Sequence, residues 1–200
     1  QYLCFIGILK IKSIMRKIFV LLHVFLVSTF FVYSQEVIDT SSTIVVEKNQ
    51  EAEIAYNRGV DEFNAKNYQA ALASFTEAIT FKPDFLKAYI NRAGVYNELA
   101  KYKEAAVDYT KVLEADPSQG KVYFNRGLCL YFSGDSKGAL VDFASSINKG
   151  YSGPEVFYYR GVVEFSMDDF KSAITDFTQA IIIKPDYAYA YNDRGSAKRQ

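Results

Sequence analysis

Apolar and polar residues follow a helical spacing along most of the chain after residue 51. In one stretch the apolar residues fall at i, i+3, i+4, i+7, i+10 and i+11, namely Tyr68, Ala71, Leu72, Phe75, Ala78 and Ile79. This spacing places them on one stripe of a helix with 3.6 residues per turn. The pattern predicts an amphipathic helix whose apolar stripe packs against a neighbouring helix.

The same pattern recurs with a period of 34 residues. An arginine followed by Gly or Ala marks the period, at Arg58, Arg92, Arg126, Arg160 and Arg194. With the small residue at position 8, residues 51–187 hold four repeats, 52–85, 86–119, 120–153 and 154–187, and residues 188–200 begin a fifth. A fixed period of this length predicts stacked helical units. Because the fifth repeat ends within its first helix, we expect the native protein to continue beyond Gln200.

Each repeat carries the same residue types at the same positions. Position 8 is small (Gly59, Ala93, Gly127, Gly161), as is position 20 (Ala71, Ala105, Ala139, Ala173). Position 24 is aromatic (Phe75, Tyr109, Phe143, Phe177), and position 32 is proline in three repeats (Pro83, Pro117, Pro185). This combination resembles the tetratricopeptide-repeat family from residue 52 to the end of the chain. The third repeat departs from it, with Tyr151 at position 32 and Pro154 three residues later.

The resemblance implies an all-α fold, an α-solenoid of stacked antiparallel helix pairs that forms a superhelix. The sizes and types of the repeated residues agree with that expected fold. Small residues at positions 8 and 20 allow two helices to approach closely, and proline ends one helix pair because it suits only the first turn of a helix. Each pair buries its apolar face only against its neighbours, which produces a concave side.

The first fifty residues have a different pattern. Residues 15–34 read as a signal peptide, with Arg16 and Lys17 before an apolar run and a cleavage site before Gln35. We therefore expect an exported protein, periplasmic or secreted, with an uncleaved membrane anchor as the alternative. Residues 1–14 precede a plausible initiator at Met15 and are expected not to belong to the native protein. Residues 35–50 lack a helical period and are predicted to be a linker.

Composition excludes several classes of function. Half of the residues are apolar, which favours a folded core, and the net charge is zero. Without the first 34 residues, 19 basic side chains stand against 23 acidic ones, and no basic cluster suited to nucleic acid remains. The only histidine is His23, and the only cysteines are Cys4 and Cys129. We therefore expect no metal site, no cofactor and no catalytic residues, and we interpret Cys129 as a small buried side chain.

The resemblance also implies where a ligand binds. In the family, positions 2, 5, 6, 9, 12 and 13 of the first helix line the concave groove. In the first two repeats these positions include Val60, Phe63, Asn64, Ile90 and Gly94. The candidate peptide-binding residues are three amides, one lysine and a set of apolar and aromatic residues: Asn57, Asn91, Asn125, Lys121, Phe124, Leu128, Tyr131, Tyr158, Tyr159 and Phe165.

The three asparagines occupy position 6 of consecutive repeats. They resemble the asparagine ladder of the O-linked N-acetylglucosamine transferase superhelix, in which amides hold the backbone of an extended peptide; an amide can both donate and accept. An equally open interpretation is that each is a solvated polar residue on a helix face. The carboxylate clamp of chaperone-binding members is not indicated, because only Asn91 and Lys121 match its five positions, and Tyr56, Val60 and Asn125 do not.

The arginines at position 7 have a structural interpretation. Position 23 is Asp108, Asp142 and Asp176 in the second to fourth repeats. Because an arginine that is partly buried usually has a carboxylate partner, we predict an ion pair within each of these repeats. For Arg126 the alternative partner is Asp108 of the preceding repeat.

Two classes of function follow. The favoured hypothesis is a protein-interaction scaffold or adaptor without catalytic activity, which binds a peptide or a protein segment in its groove. The alternative is the substrate-binding or regulatory part of a larger enzyme whose catalytic part lies beyond Gln200. The fold by itself does not distinguish them.

Overall fold

The computed structural model describes residues 26, 28, 29 and 43–200, which fall into two units, residues 1–50 and 51–200. In the first unit every described residue is helical, including residues 43–50. The structure thus gives residues 43–50 a helix that the apolar and polar pattern there does not indicate, while their role as a linker stays a prediction. Relative to alanine, the Ile and Val residues there cost roughly a fraction of a kcal/mol each in a helix, so they do not prevent helix formation.

The predicted signal peptide, residues 15–34, lies outside the described residues except for Leu26, Ser28 and Thr29. The predicted extra segment at residues 1–14 lies outside them altogether. None of the helices that the structure describes combines the length and the apolar character that crossing a membrane requires.

The second unit is all-helical, as predicted. Its nine helices are α1 (51–64), α2 (Tyr68–Phe81), α3 (Leu86–Glu98), α4 (Tyr102–Ala115), α5 (Gly120–Phe132), α6 (Ser136–Asn148), α7 (Pro154–Ser166), α8 (Phe170–Ile183) and α9 (Ala188–Ala197). The first helices α3, α5, α7 and α9 begin at the first residue of the repeats derived from the sequence. From α2 onward each helix packs on the next, and α7 also contacts α5 and α9. This is a solenoid of stacked helix pairs.

The core follows the repeat signature. The alanines at position 20 and the aromatic residues at position 24 are buried in all four complete repeats. Glycine at position 8 faces the aromatic ring of its own repeat: a Cβ on Gly59 would lie 2.8 Å from the Phe75 ring, and one on Gly127 would lie 2.8 Å from the Phe143 ring. Because real Cβ atoms do not approach that closely, any larger residue at Gly59 or Gly127 would displace the ring; the second repeat carries Ala93 at this position.

Two turns set the geometry of each repeat. Between the helices of a pair, the residue at position 15 has a left-handed φ, which is 55° at Ala100 and 94° at Gly134. Between pairs, Lys82 and Asp116 end their helices in extended conformation before a proline. The third repeat lacks that proline. There Gly150, with φ 84°, follows the end of α6, and Pro154 begins α7.

Candidate groove of the helical repeats

The first helices of three consecutive repeats border one cavity of about 390 Å³. Two aromatic side chains from second helices, Phe75 and Tyr109, lie at the base of the cavity. The other lining residues occupy first-helix positions that were assigned to the groove: Val60, Phe63, Asn64, Ile90, Asn91, Gly94, Lys121 and Asn125. The structure therefore brings Asn91, Asn125 and Lys121 together, as the groove hypothesis requires. Asn57 is exposed and is not among the lining residues.

The amides around the cavity also bond to the protein itself. The Asn91 side-chain nitrogen donates to the Tyr56 hydroxyl of the preceding repeat at 3.0 Å. Asn97 donates to the Tyr109 hydroxyl at 3.5 Å, and the polar side chain of Asn125 lies beside the same hydroxyl. Burial raises the pKa of Tyr109 well above its usual value, so that its hydroxyl remains protonated. Asn91 and Asn125 thus serve repeat packing while they line the cavity.

The predicted aromatic end of the groove lies in the third and fourth repeats. The rings of Tyr158 and Tyr159 lie 5.3 Å apart in an edge-on arrangement, and Tyr158 also contacts Tyr187 at 5.0 Å. Both Tyr158 and Tyr159 are half-buried. The Tyr158 hydroxyl donates to Asp193 at 2.9 Å, and burial, followed by that bond, raises the pKa of Tyr158.

One predicted groove residue belongs to the core. Phe124 is only 7 % exposed and packs on Phe143, Tyr151 and Tyr159. Its assignment to the peptide-contacting surface is therefore wrong, because position 5 of this repeat points into the contact with the next repeat. The remaining predicted aliphatic and aromatic residues are partly buried: Leu128, Tyr131 and Phe165.

The predicted ion pairs within repeats are confirmed. Arg92, Arg126 and Arg160 each form two hydrogen bonds with the aspartate 16 residues later, at 2.5–2.8 Å. The alternative pairing of Arg126 with Asp108 is not formed; Asp108 pairs with Arg92. Each guanidinium also lies over the aromatic ring at position 4, for example Arg126 over Tyr123 at 5.5 Å. These arginines hold the two helices of a repeat together.

Glu164 differs from every other carboxylate of the described residues. One of its side-chain oxygens is buried without a hydrogen-bond partner, and the Arg160–Asp176 pair lies beside it. Burial, and then the neighbouring charge of Asp176, raise the pKa of Glu164 to about 7. Sequence reasoning did not single this residue out, because its state depends on a neighbour on a different helix.

Cys129 is buried, as predicted, and burial raises the pKa of its thiol to about 12. Its sulfur donates to the Asn97 side-chain oxygen at 3.0 Å. Within the described ranges, no group of three or more His, Cys, Asp or Glu side chains is arranged to hold a metal ion.

Sequence reasoning also missed the base of the cavity. Tyr109 and Phe75 were assigned only to the repeat signature, yet both line the cavity. The role of Gly94 as an opening in its wall was missed as well. A glycine at a position that is Val60, Leu128 or Val162 in the other complete repeats is the one signal in the sequence that could have indicated it.

Comparisons with known proteins agree with the helical repeats that the sequence and the structure show. A family model described as tetratricopeptide repeat matches residues 86–119, which is the second repeat of the chain. A stretch of 62 residues is 40% identical to the translocon at the outer membrane of chloroplasts 64 of Pisum sativum. That match covers 31% of this chain and only 10% of the plant protein.

Solved structures share the fold. The crystal structure of MamA superposes with a TM-score of 0.73 at 18% identity, over 75% of this chain and 82% of that one. A tetratricopeptide repeat protein from Parabacteroides merdae gives 0.69 at 18% identity, over 75% of this chain and 60% of that one. The first such domain of Spaghetti (RPAP3), bound to the HSP90 peptide SRMEEVD, gives 0.54 at 21% identity, over 57% and 93%.

Proposed function

Because this chain belongs to the tetratricopeptide-repeat family, we propose that it is a scaffold without catalytic activity that binds an extended segment of a partner protein in its groove. One observation carries the proposal. Groove positions from three consecutive repeats border a single cavity that has an apolar base and a rim of amides and one lysine. Apolar pockets with a few convergent polar groups are the usual form of binding sites.

The two ends of the groove have different roles in this proposal. In the first three repeats, the amide oxygen of Asn91 accepts from a peptide N–H while its nitrogen stays bonded to Tyr56. In the third and fourth repeats, the half-buried rings of Tyr131, Tyr158 and Tyr159 receive apolar side chains. Aromatic anchors of this kind account for much of the binding energy in protein interfaces.

The structure of the RPAP3 domain with a bound peptide supports this type of function, since its fold superposes on this chain. That HSP90 peptide is a ligand of the RPAP3 domain and identifies no partner of this chain. The partner is to be found by crosslinking from the groove: a photoreactive residue at Leu128 of the full chain, followed by mass spectrometry of the crosslinked peptide.

Calorimetry on that partner segment then tests the residues. Asn125→Ala is expected to weaken binding by about 0.5–1.5 kcal/mol, and Tyr159→Ala by about 2 kcal/mol or more. Val141→Ala is the matched control, because Val141 is 65% exposed on a second helix outside the cavity. If both groove variants fold and bind as tightly as Val141→Ala, another surface holds the partner.

We propose in addition that the protein is exported, on the ground of the charged and apolar pattern of residues 15–34. Expressed in a bacterial host, the mature protein is expected to begin at Gln35 and to be recovered outside the cytoplasm. N-terminal sequencing of the fractionated protein checks this. Recovery of an intact Met15 in the membrane fraction would identify an anchor instead.

A further inference from the structure

The wall of the cavity is open at Gly94. A Cβ built at this residue would have no heavy atom within 4 Å, and the other complete repeats carry Val60, Leu128 and Val162 at the same position. A side chain of ordinary size at position 94 would therefore extend into free space. Glycine weakens a helix interior relative to alanine, and no neighbouring atom requires a residue without a Cβ here. The packing of the repeat therefore does not explain Gly94. What the glycine does produce is an opening in the cavity wall.

The surface behind the opening is apolar. Val60 and Phe63 of α1 and Ile90 of α3 form the walls, and the rings of Phe75 and Tyr109 close the base. Both residues are almost fully buried, at 1% and 3% exposure, so the base of the cavity is part of the hydrophobic core. A volume of about 390 Å³ falls within the range of small-ligand pockets, roughly 300–1,000 Å³. One large aliphatic or aromatic side chain fits this space.

The rim of the same cavity is polar and carries a positive charge. Asn64, Asn91 and Asn125 supply amides, and Lys121 is the only charged residue among those that line it. Among the described residues Lys121 forms no ion pair, whereas Lys111 pairs with Glu114. An exposed ammonium beside an apolar pocket is complementary to a carboxylate next to an apolar side chain.

We infer that this cavity is a subsite for two adjacent residues of a partner peptide, a large apolar residue that enters at Gly94 and an acidic residue whose carboxylate pairs with Lys121. The inference rests on the proposed function and specifies its ligand. The acidic group is a side chain within the segment. One ammonium matches one side-chain carboxylate, and the candidate groove continues past Asn125 towards Tyr131 and Tyr159, so the peptide need not end here.

Defined peptides test the subsite even before the partner protein is identified. The probe is an eight-residue peptide, acetylated and amidated at its ends, with Phe-Glu at its centre and Gly and Ser elsewhere. Titration into the isotope-labelled full chain is followed by two-dimensional NMR. Saturable shifts are expected at the amides of residues 90–94 and 121–125. Replacing Phe by Ala, or Glu by Gln, in the peptide is expected to weaken binding at least about threefold each.

Two pairs of protein variants isolate the pocket and the charge. Gly94→Leu fills the opening and is expected to lower affinity about tenfold or more, while Gly94→Ala leaves most of it free and changes affinity less than about threefold. Lys121→Gln is expected to remove the preference for Glu over Gln in the peptide. Lys137→Gln, an exposed lysine at the start of α6 outside the cavity, is expected to keep that preference. Thermal melts establish that each variant is folded.

Three results would overturn the inference. The first is an absence of shifts at residues 90–125, and the second is a folded Gly94→Leu variant that binds like Gly94→Ala. The third is tighter binding of a peptide that ends in Phe with a free carboxylate, which would make the subsite a receptor for a chain terminus. If the crosslinked partner loses affinity in Tyr159→Ala but not in Gly94→Leu, the groove function stands and only the subsite fails.

Discussion

The Asn91 side chain donates a 3.0 Å hydrogen bond to the Tyr56 hydroxyl of the preceding repeat. The same two positions meet again at the other end of the solenoid, where Tyr158 donates to Asp193 at 2.9 Å. Between them, the corresponding residues Phe124 and Tyr159 form a ring contact at 6.1 Å. Position 5 of one repeat and position 6 of the next thus form an inter-repeat contact whose chemistry varies along the chain.

The hydrogen bond between Asn91 and Tyr56 predicts that the effects of substituting these two residues on stability are coupled. Tyr56→Phe and Asn91→Ala are each expected to destabilise the fold by about 0.5–1.5 kcal/mol. The double variant should lose less than the sum, because either change removes the same bond. Chemical denaturation of the four proteins gives the coupling energy. Additive losses would mean that the bond contributes nothing to stability.

The Arg126–Asp142 pair predicts a larger effect. The Asp142 side chain is only 4% exposed and the Arg126 side chain 19%, so Arg126→Met leaves a buried carboxylate without its partner. We expect a loss of about 3–5 kcal/mol, and a substantial recovery when Asp142→Leu is added. The exposed Lys111–Glu114 pair is the control, since Lys111→Met should change the unfolding free energy little. A loss at Arg126 no greater than that at Lys111 would contradict a structural role.

Two glycines predict opposite responses to the same substitution. Gly127→Ala places a Cβ 2.8 Å from the buried Phe143 ring and should destabilise by about 1–3 kcal/mol. Gly94→Ala meets no heavy atom within 4 Å and should stabilise by roughly 0.5–1 kcal/mol, because alanine is the better helix former. Denaturant unfolding of both variants measures the two changes in unfolding free energy. Equal changes would show that the aromatic ring does not restrict the size of the residue at position 8.

Glu164 predicts a pH dependence of stability. Its pKa is raised to about 7, chiefly by burial and then by Asp176, whereas in the unfolded chain it is about 4.3. The folded state therefore holds the proton more tightly. Its contribution to stability is fully present below about pH 4.3 and is lost as the pH rises through about 7.

Glu164→Gln tests this dependence by substituting a side chain that cannot ionise. The variant should melt at a higher temperature than the parent at pH 8, and the difference should shrink towards pH 5. Asp135 is the matched control, since it is an exposed helix cap of the preceding repeat that accepts from the Gly138 N–H. Asp135→Asn should show no such convergence at low pH. A constant difference between the Glu164 variant and the parent at both pH values would contradict the raised pKa of Glu164.

The sequence by itself determined the solenoid, the boundaries of its repeats and the ion pairs. Each of these depends on residues at fixed spacing within one repeat: the apolar stripe of α2, the close approach of Gly127 to Phe143, and the 16-residue separation of Arg126 and Asp142. Local periodicity and short-range geometry are sufficient for such features, because each repeat contacts only itself and its neighbours.

Only the tertiary structure decided how groove positions are used. Phe124, Asn91 and Gly94 all lie at positions that line the groove in the family, yet Phe124 is buried against the next repeat, Asn91 is bonded to Tyr56, and Gly94 leaves a cavity. The reason is that each side chain's environment depends on residues about 34 positions away, whose sizes and polar groups differ from repeat to repeat. A position in a repeat fixes which face a residue occupies, whereas its neighbours on the adjacent repeats decide whether it packs, bonds or stays open to a ligand.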